Sequence, residues 1–192
     1  GVGRDDGKTK GEYSPIFYNK NKFKVLFHET FWLSPTPKKV SVGWDASMER
    51  ICTYGLFENI NSNQKIWIFN THFDHIGNIA RKESANLILK TIDKINNEKL
   101  PVILTGDFNL EDNNPIIKKI QKQLTDVQFY VDESNKYYGT FSGFKHSKII
   151  EKRIDYIFTK NIKPIQSKHI HLKTPYNGWA SDHHPVLTTL KF

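Results

Sequence analysis

Cysteine is almost missing from this chain, and its scarcity removes whole classes of protein. The one cysteine in 192 residues, Cys52, lies in the apolar stretch RICTYGLF. A single thiol excludes an intramolecular disulfide framework and a cysteine-clustered zinc site, without deciding the compartment. Long apolar runs are lacking too. No stretch approaches the roughly 20 residues of a membrane-spanning helix, and GVGRDDG at the start has no signal-peptide character. Internal repeats, low-complexity tracts and domain linkers are likewise missing. Localisation and oligomeric state are left open by these features.

Acidic residues are the minority, 20 against 28 lysines and arginines, which gives a formal net charge of +8. A positive field raises the local concentration of anions such as phosphates, so an anionic partner is expected without being identified, with nucleic acid slightly favoured. Much of the charge is spread through YNKNKFK, IDKINNEKL and TKNIKPIQSKHIH, which read as solvated faces rather than a shaped groove. With 38% hydrophobic residues, residues 1–192 suffice for one domain with a core of its own.

Periodicity then orders the chain. EYSPIFYNK, KFKVLFHET, RICTYGLFEN and KIWIFNTHF are rich in aromatic and β-branched residues and are expected as strands. From Ile79 to Ile95 the period lengthens: Ile79, Ala85, Ile88, Ile92 and Ile95 predict an amphipathic helix, with Arg81, Lys82, Glu83, Lys90 and Lys94 on its outer face. PVILTGDF reads as a short strand buried on both faces, and NPIIKKIQKQL as a second helix with proline near its start. KRIDYIFT and HPVLTTLKF predict two more strands, with NIKPIQSKHIHL a further one. The result is a strand-rich α/β layered domain.

Chemically capable side chains recur where strands are expected to end: NTHFDH, TGDFN, RIDYIF and SDHHPV. In TGDFN, strand alternation would place Asp107 and Asn109 on one face as the backbone opens into a loop. One such Asp or His is ordinarily a turn former or a cap. Four strand ends carrying His, Asp-x-Asn, Asp and Asp-His point to catalysis instead.

GEYSPIFY, RICTY, FNTHFDHIG, LTGDFN, GTFSGF, RIDYIF and SDHHPV, in this order, resemble the motifs of the endonuclease/exonuclease/phosphatase superfamily, the deoxyribonuclease I-like phosphodiesterases. The resemblance implies a four-layer sandwich in which two packed, mostly antiparallel sheets are flanked by helices. It also implies divalent-metal-dependent hydrolysis of phosphodiesters by in-line attack of water, in the manner of a nuclease. The cofactor would be magnesium, or manganese in its place, with Asp182 as a metal ligand; a hard cation prefers carboxylate and water oxygens.

By the same resemblance Asp107 would position and deprotonate the water, and Asn109 would hold that aspartate or the phosphate through its amide. His183 would donate to phosphoryl oxygens, with Asp155 fixing its ring tautomer and favouring its protonated form. The strands bearing Asp155 and His183 are expected to be adjacent. His72 would contact the phosphate, with Glu12 as its orienting carboxylate. Arg4 and Arg50 would bind substrate, since a guanidinium suits phosphate geometry. Asp74 and His75 are expected to cap a helix, and His184 to be structural. Trp44, Tyr138, Phe141 and Trp179 fall beside the motifs, where packing competes with stacking on substrate.

The family resemblance further implies an upstream strand ending in a metal-binding glutamate, so the domain is expected to be incomplete at its N-terminus. Three other readings compete with a nuclease-like phosphodiesterase. They are a phosphoesterase of a lipid or small-molecule phosphate, a non-catalytic member that binds a phosphate or a protein, and a zinc hydrolase using His72, Asp74 and His75. Retention of every motif residue above argues against a non-catalytic member.

Overall fold

The computed structural model describes residues 1–131, 139–145 and 150–191. The protein is an α/β fold whose chain forms two compact units, Gly1–Asn109 and Leu110–Phe192. In the first unit, β1 (Phe23–Trp32), β2 (Ile51–Asn59) and β3 (Lys65–His72) form an antiparallel meander. Helix α1 (Asn78–Ile95) then carries the chain to β4 (Val102–Asp107), which lies parallel to β3 and makes the sheet mixed. A parallel neighbour requires such a crossover, because a tight turn can only reverse the chain.

The expected strand over residues 12–20 does not form; that stretch joins no ladder. Pro15 has no N–H to give a ladder, and its carbonyl instead accepts from the Asn70 side chain at 2.9 Å. The strand β2 is buried along nearly its whole length. Around it the aromatic residues interlock: Tyr54 stacks on Phe69 with centroids 5.1 Å apart, and Phe31 meets Tyr54 edge-on at 5.7 Å. Cys52 is wholly buried here, as a core thiol.

Helix α1 buries Ala80, Arg81, Ser84, Ala85, Ile88, Leu89 and Ile92, a stripe at three-to-four spacing. Ile79, expected on that stripe, is exposed. Arg81, expected outside, is buried and donates to the Asp74 carbonyl at 3.1 Å. The helix start explains both shifts. Asp45, from a loop more than thirty residues upstream, accepts from Ile79 N at 3.1 Å and Ala80 N at 2.6 Å, so Asp45 rather than Asp74 caps the first turn.

In the second unit, Asn114 caps α2 (Pro115–Gln121) by accepting from Ile116 N at 2.9 Å, with proline opening the helix. A two-residue strand, β5 (Thr125–Asp126), precedes a 3-10 turn, Val127–Tyr130, and pairs antiparallel with β6 (Asp155–Lys160). β7 (Lys163–His169) and β8 (Val186–Lys191) form a separate antiparallel pair. Ile117, Ile120, Val127, Tyr156 and Phe158 supply the core. Within it, Arg153 makes a bidentate pair with the buried Asp126, at 3.1 and 2.9 Å, and lies 4.3 Å from the Tyr156 ring centre. Among the described residues no helix is long and apolar enough to cross a membrane.

Candidate active site

In the first unit the parallel pairing of β3 and β4 sets His72 opposite Asp107 in register. Both residues end their strands, where side chains emerge at the carboxyl edge of the sheet. His72 Nε2 lies 3.2 Å from Asp107 Oδ2, and His72 Nδ1 lies 3.5 Å from Glu12 Oε2. Glu12 is held in turn by Arg4, whose Nη1 donates to its Oε2 at 2.6 Å. The ring therefore sits between two carboxylates, one of them anchored by a guanidinium.

Gly106 makes the approach to Asp107 feasible. Its φ is 149°, and a Cβ there would lie 2.0 Å from the Thr71 carbonyl oxygen, so any side chain would force β4 away from β3. The strand ends at Asp107, and Asn109 turns left-handed at φ 49°. The shared strand face expected for Asp107 and Asn109 is thereby replaced by a tight loop. Asn109 N donates to Asp107 Oδ1 at 2.8 Å, while the Asn109 side-chain amide donates to the Phe73 carbonyl at 3.0 Å. The backbone, rather than the amide, holds the aspartate.

Beyond β3 the chain is pinned by Asp74. Its carboxylate accepts from Ser47 N and Oγ, Ile76 N and Gly77 N at 2.7–3.1 Å. Burial pushes the Asp74 carboxyl up, but hydrogen bonds from Gly77, Ser47 and Ile76 outweigh it and hold the group well below the usual carboxylate range. Arg50 packs beside it with Nε 3.4 Å from Asp74 Oδ2 and Nη2 3.0 Å from His75 Nδ1. The guanidinium's Nη1 is buried with no hydrogen-bond partner among the described residues. His75 and Asp74 are thus committed to this network, against the zinc alternative. Trp44 stands partly exposed with φ 51°.

In the second unit, His183 Nδ1 lies 2.8 Å from Asp155 Oδ2. An ionised carboxylate can only accept, so this ring nitrogen is the donor. Asp155 begins β6 and His183 precedes β8. The two strands were expected as neighbours, yet they belong to different sheets. A segment that periodicity cannot identify joins them. Thr140 Oγ1 accepts from Asp155 N and Ile154 N, each at 3.1 Å, and the Thr140 carbonyl accepts from His184 N at 2.6 Å.

Asp182 is partly exposed, and its carbonyl accepts from Ser142 N at 2.7 Å and Ser142 Oγ at 2.9 Å. Phe141 packs on the His183 ring, with centroids 5.0 Å apart. His184 is buried between His171 and Trp179, both meeting it edge-on, and burial lowers its proton affinity. Tyr138 lies outside the described residues. Glu12 and Asp107 in the first unit, and Asp155 and Asp182 in the second, are hard oxygen donors that suit magnesium or manganese better than a soft metal. Thr140 and Ser142 lie within the GTFSGF motif, but their bonds are not legible in the sequence, and Ser47 and Asp45 leave no sequence signal at all.

Comparison with known proteins gives the family. An endonuclease/exonuclease/phosphatase family protein from Bacteroides thetaiotaomicron superposes with a TM-score of 0.89 at 37% identity, covering 98% of this chain and 73% of that one. A mannosyl-6-phosphatase from the same organism gives 0.88 at 38% identity, covering 100% of this chain and 75% of that one. An uncharacterised protein of Acanthamoeba polyphaga mimivirus is 40% identical over 100 residues, which is half of this chain and 37% of that protein's length. The model of the Endonuclease/Exonuclease/phosphatase family matches residues 8–183, and the chain belongs to that family.

Proposed function

We propose that this protein hydrolyses phosphate esters with a divalent cation, by in-line attack of water on phosphorus. The observation that carries the reading is the 2.8 Å bond between His183 Nδ1 and Asp155. It fixes the tautomer and orientation of the ring whose other nitrogen would donate to a phosphoryl oxygen as charge builds there. Asp107 accepts the proton of the attacking water, and its orientation is set by the Asn109 backbone N–H. His72, between Asp107 and Glu12, steadies the base carboxylate, and Arg4, behind Glu12, adds positive charge at that edge. Asp182, with other carboxylate oxygens, would hold magnesium or manganese, which would supply charge neutralisation at the phosphoryl oxygens.

Two substrate classes follow from different observations. Net charge of +8 supports the phosphodiester expectation, with nucleic acid as the polymer. Identity of 38% over the whole chain to a mannosyl-6-phosphatase supports a phosphorylated sugar, and this is the class we put first. Purified protein assayed with magnesium against mannose 6-phosphate, single-stranded DNA, RNA, sphingomyelin and a nitrophenyl phosphodiester separates them. Turnover of the sugar phosphate above all polymers is expected. Preferential cleavage of DNA or RNA returns the nuclease reading, and inactivity on every ester removes the catalytic one.

A further inference from the structure

The bond between Asp155 and His183 joins a residue at the start of β6 to one in the loop before β8, and no strand ladder connects those elements. Something else must hold two side chains to hydrogen-bond precision. The segment 139–142 touches both sides. The Thr140 hydroxyl accepts from Ile154 N and Asp155 N, each at 3.1 Å, which engages both of its lone pairs. One peptide unit along the same residue, the Thr140 carbonyl accepts from His184 N at 2.6 Å. Phe141 then bridges His183 in antiparallel register, and Ser142 binds the Asp182 carbonyl through both its N–H and its hydroxyl.

We infer that Thr140 is a positioning residue for the reaction, its hydroxyl and carbonyl clipping the Asp155 strand to the His183 loop so that carboxylate and ring meet. The side chain is wholly buried, so it acts through Asp155 and His183 rather than on substrate. Valine matches threonine in shape but cannot accept a hydrogen bond, so the Ile154 and Asp155 N–H groups must find partners by moving. Gly139 supports the same seating: a Cβ there would lie 2.2 Å from the Ile150 carbonyl oxygen, so only a glycine lets the strap lie this close.

The inference rests on the reading that His183 handles the phosphoryl group, and the test separates the two. In Thr140→Val the downfield Nδ1–H proton resonance of His183, followed by NMR, should shift or broaden while the rest of the spectrum stays folded. On a confirmed phosphate ester, kcat should fall about tenfold to a hundredfold, the scale for a misplaced catalytic group, with KM changed less than about threefold because ground-state binding is spared. Thr140→Ser, which keeps the acceptor, should restore both. A valine variant with unchanged resonance and unchanged kcat, whatever its melting temperature, overturns the inference. Should valine not fold, serine decides: wild-type resonance and kcat uphold the clip, and loss of either in a folded serine variant overturns it. Full hydrolysis by His183→Ala would instead refute the functional reading and leave the resonance comparison standing.

Discussion

Replacing Asp155 by asparagine removes a charge and almost no volume. At 2.8 Å the present bond to His183 is short for N–H donating to oxygen, as charge-assisted bonds are. Hydrogen bonds to charged groups contribute about 1.5–3 kcal/mol, and each 1.36 kcal/mol in a barrier is tenfold in rate. If the bond matters fully when the ring carries charge, kcat should fall about 10- to 150-fold on these figures. The loss would be larger if the asparagine amide turns its NH2 toward the ring and reverses the tautomer. Stability should change little, because Asp155 and His183 are both partly open to water. Steady-state kinetics on a confirmed phosphate ester, with circular dichroism as the folding control, makes the comparison. Turnover within about twofold of wild type, well inside the range expected for a charged bond, would refute the orienting role of Asp155.

Two further outcomes bear on the scaffold. Gly106→Ala forces a Cβ to within 2.0 Å of the Thr71 carbonyl at φ 149°, and should cost at least about 2 kcal/mol in urea unfolding, within the range for strained backbone sites; near-native stability would deny the close approach of β3 and β4. Asp74 has a folded pKa below its unfolded value, so its contribution is present above about pH 4 and lost as pH falls through the folded value. Asp74→Asn should lower stability at pH 7 and flatten its acid dependence below about pH 4, read from melting temperatures carried from neutral pH down to about pH 2. An unchanged acid profile would remove Asp74 from that role.

Much of the fold was legible because its elements bury one face or both. β2, β3 and β4 announce themselves as aromatic and β-branched runs, and α1 by its apolar stripe. The stretch around Pro15 misled because its side chains have strand composition while its backbone lacks a donor. Asp107, Asp155, His72 and His183 could be singled out because chemistry at several strand ends is hard to explain as turns. Their supports were hidden. Thr140 reaches β6 from 14 and 15 residues away, and Asp45 caps α1 from 34 and 35 residues away; neither relation leaves a periodic trace. Asn109 lies in the loop opening as expected, but its bond to Asp107 comes from the backbone N–H, because a left-handed φ cannot be read from strand alternation.

The proposed hydrolysis of a phosphate ester through Asp107 and His183 with a divalent cation is open to direct measurement. Inorganic phosphate release from mannose 6-phosphate, or cleavage of whichever ester in the panel is turned over, should be measured with magnesium and after chelation, for the wild type, Asp107→Ala and His183→Ala. Turnover by the wild type with magnesium, its loss on chelation, and a fall of at least about a hundredfold in each folded variant are expected. Equal turnover by wild type and either variant, or full turnover in the chelator, would contradict it.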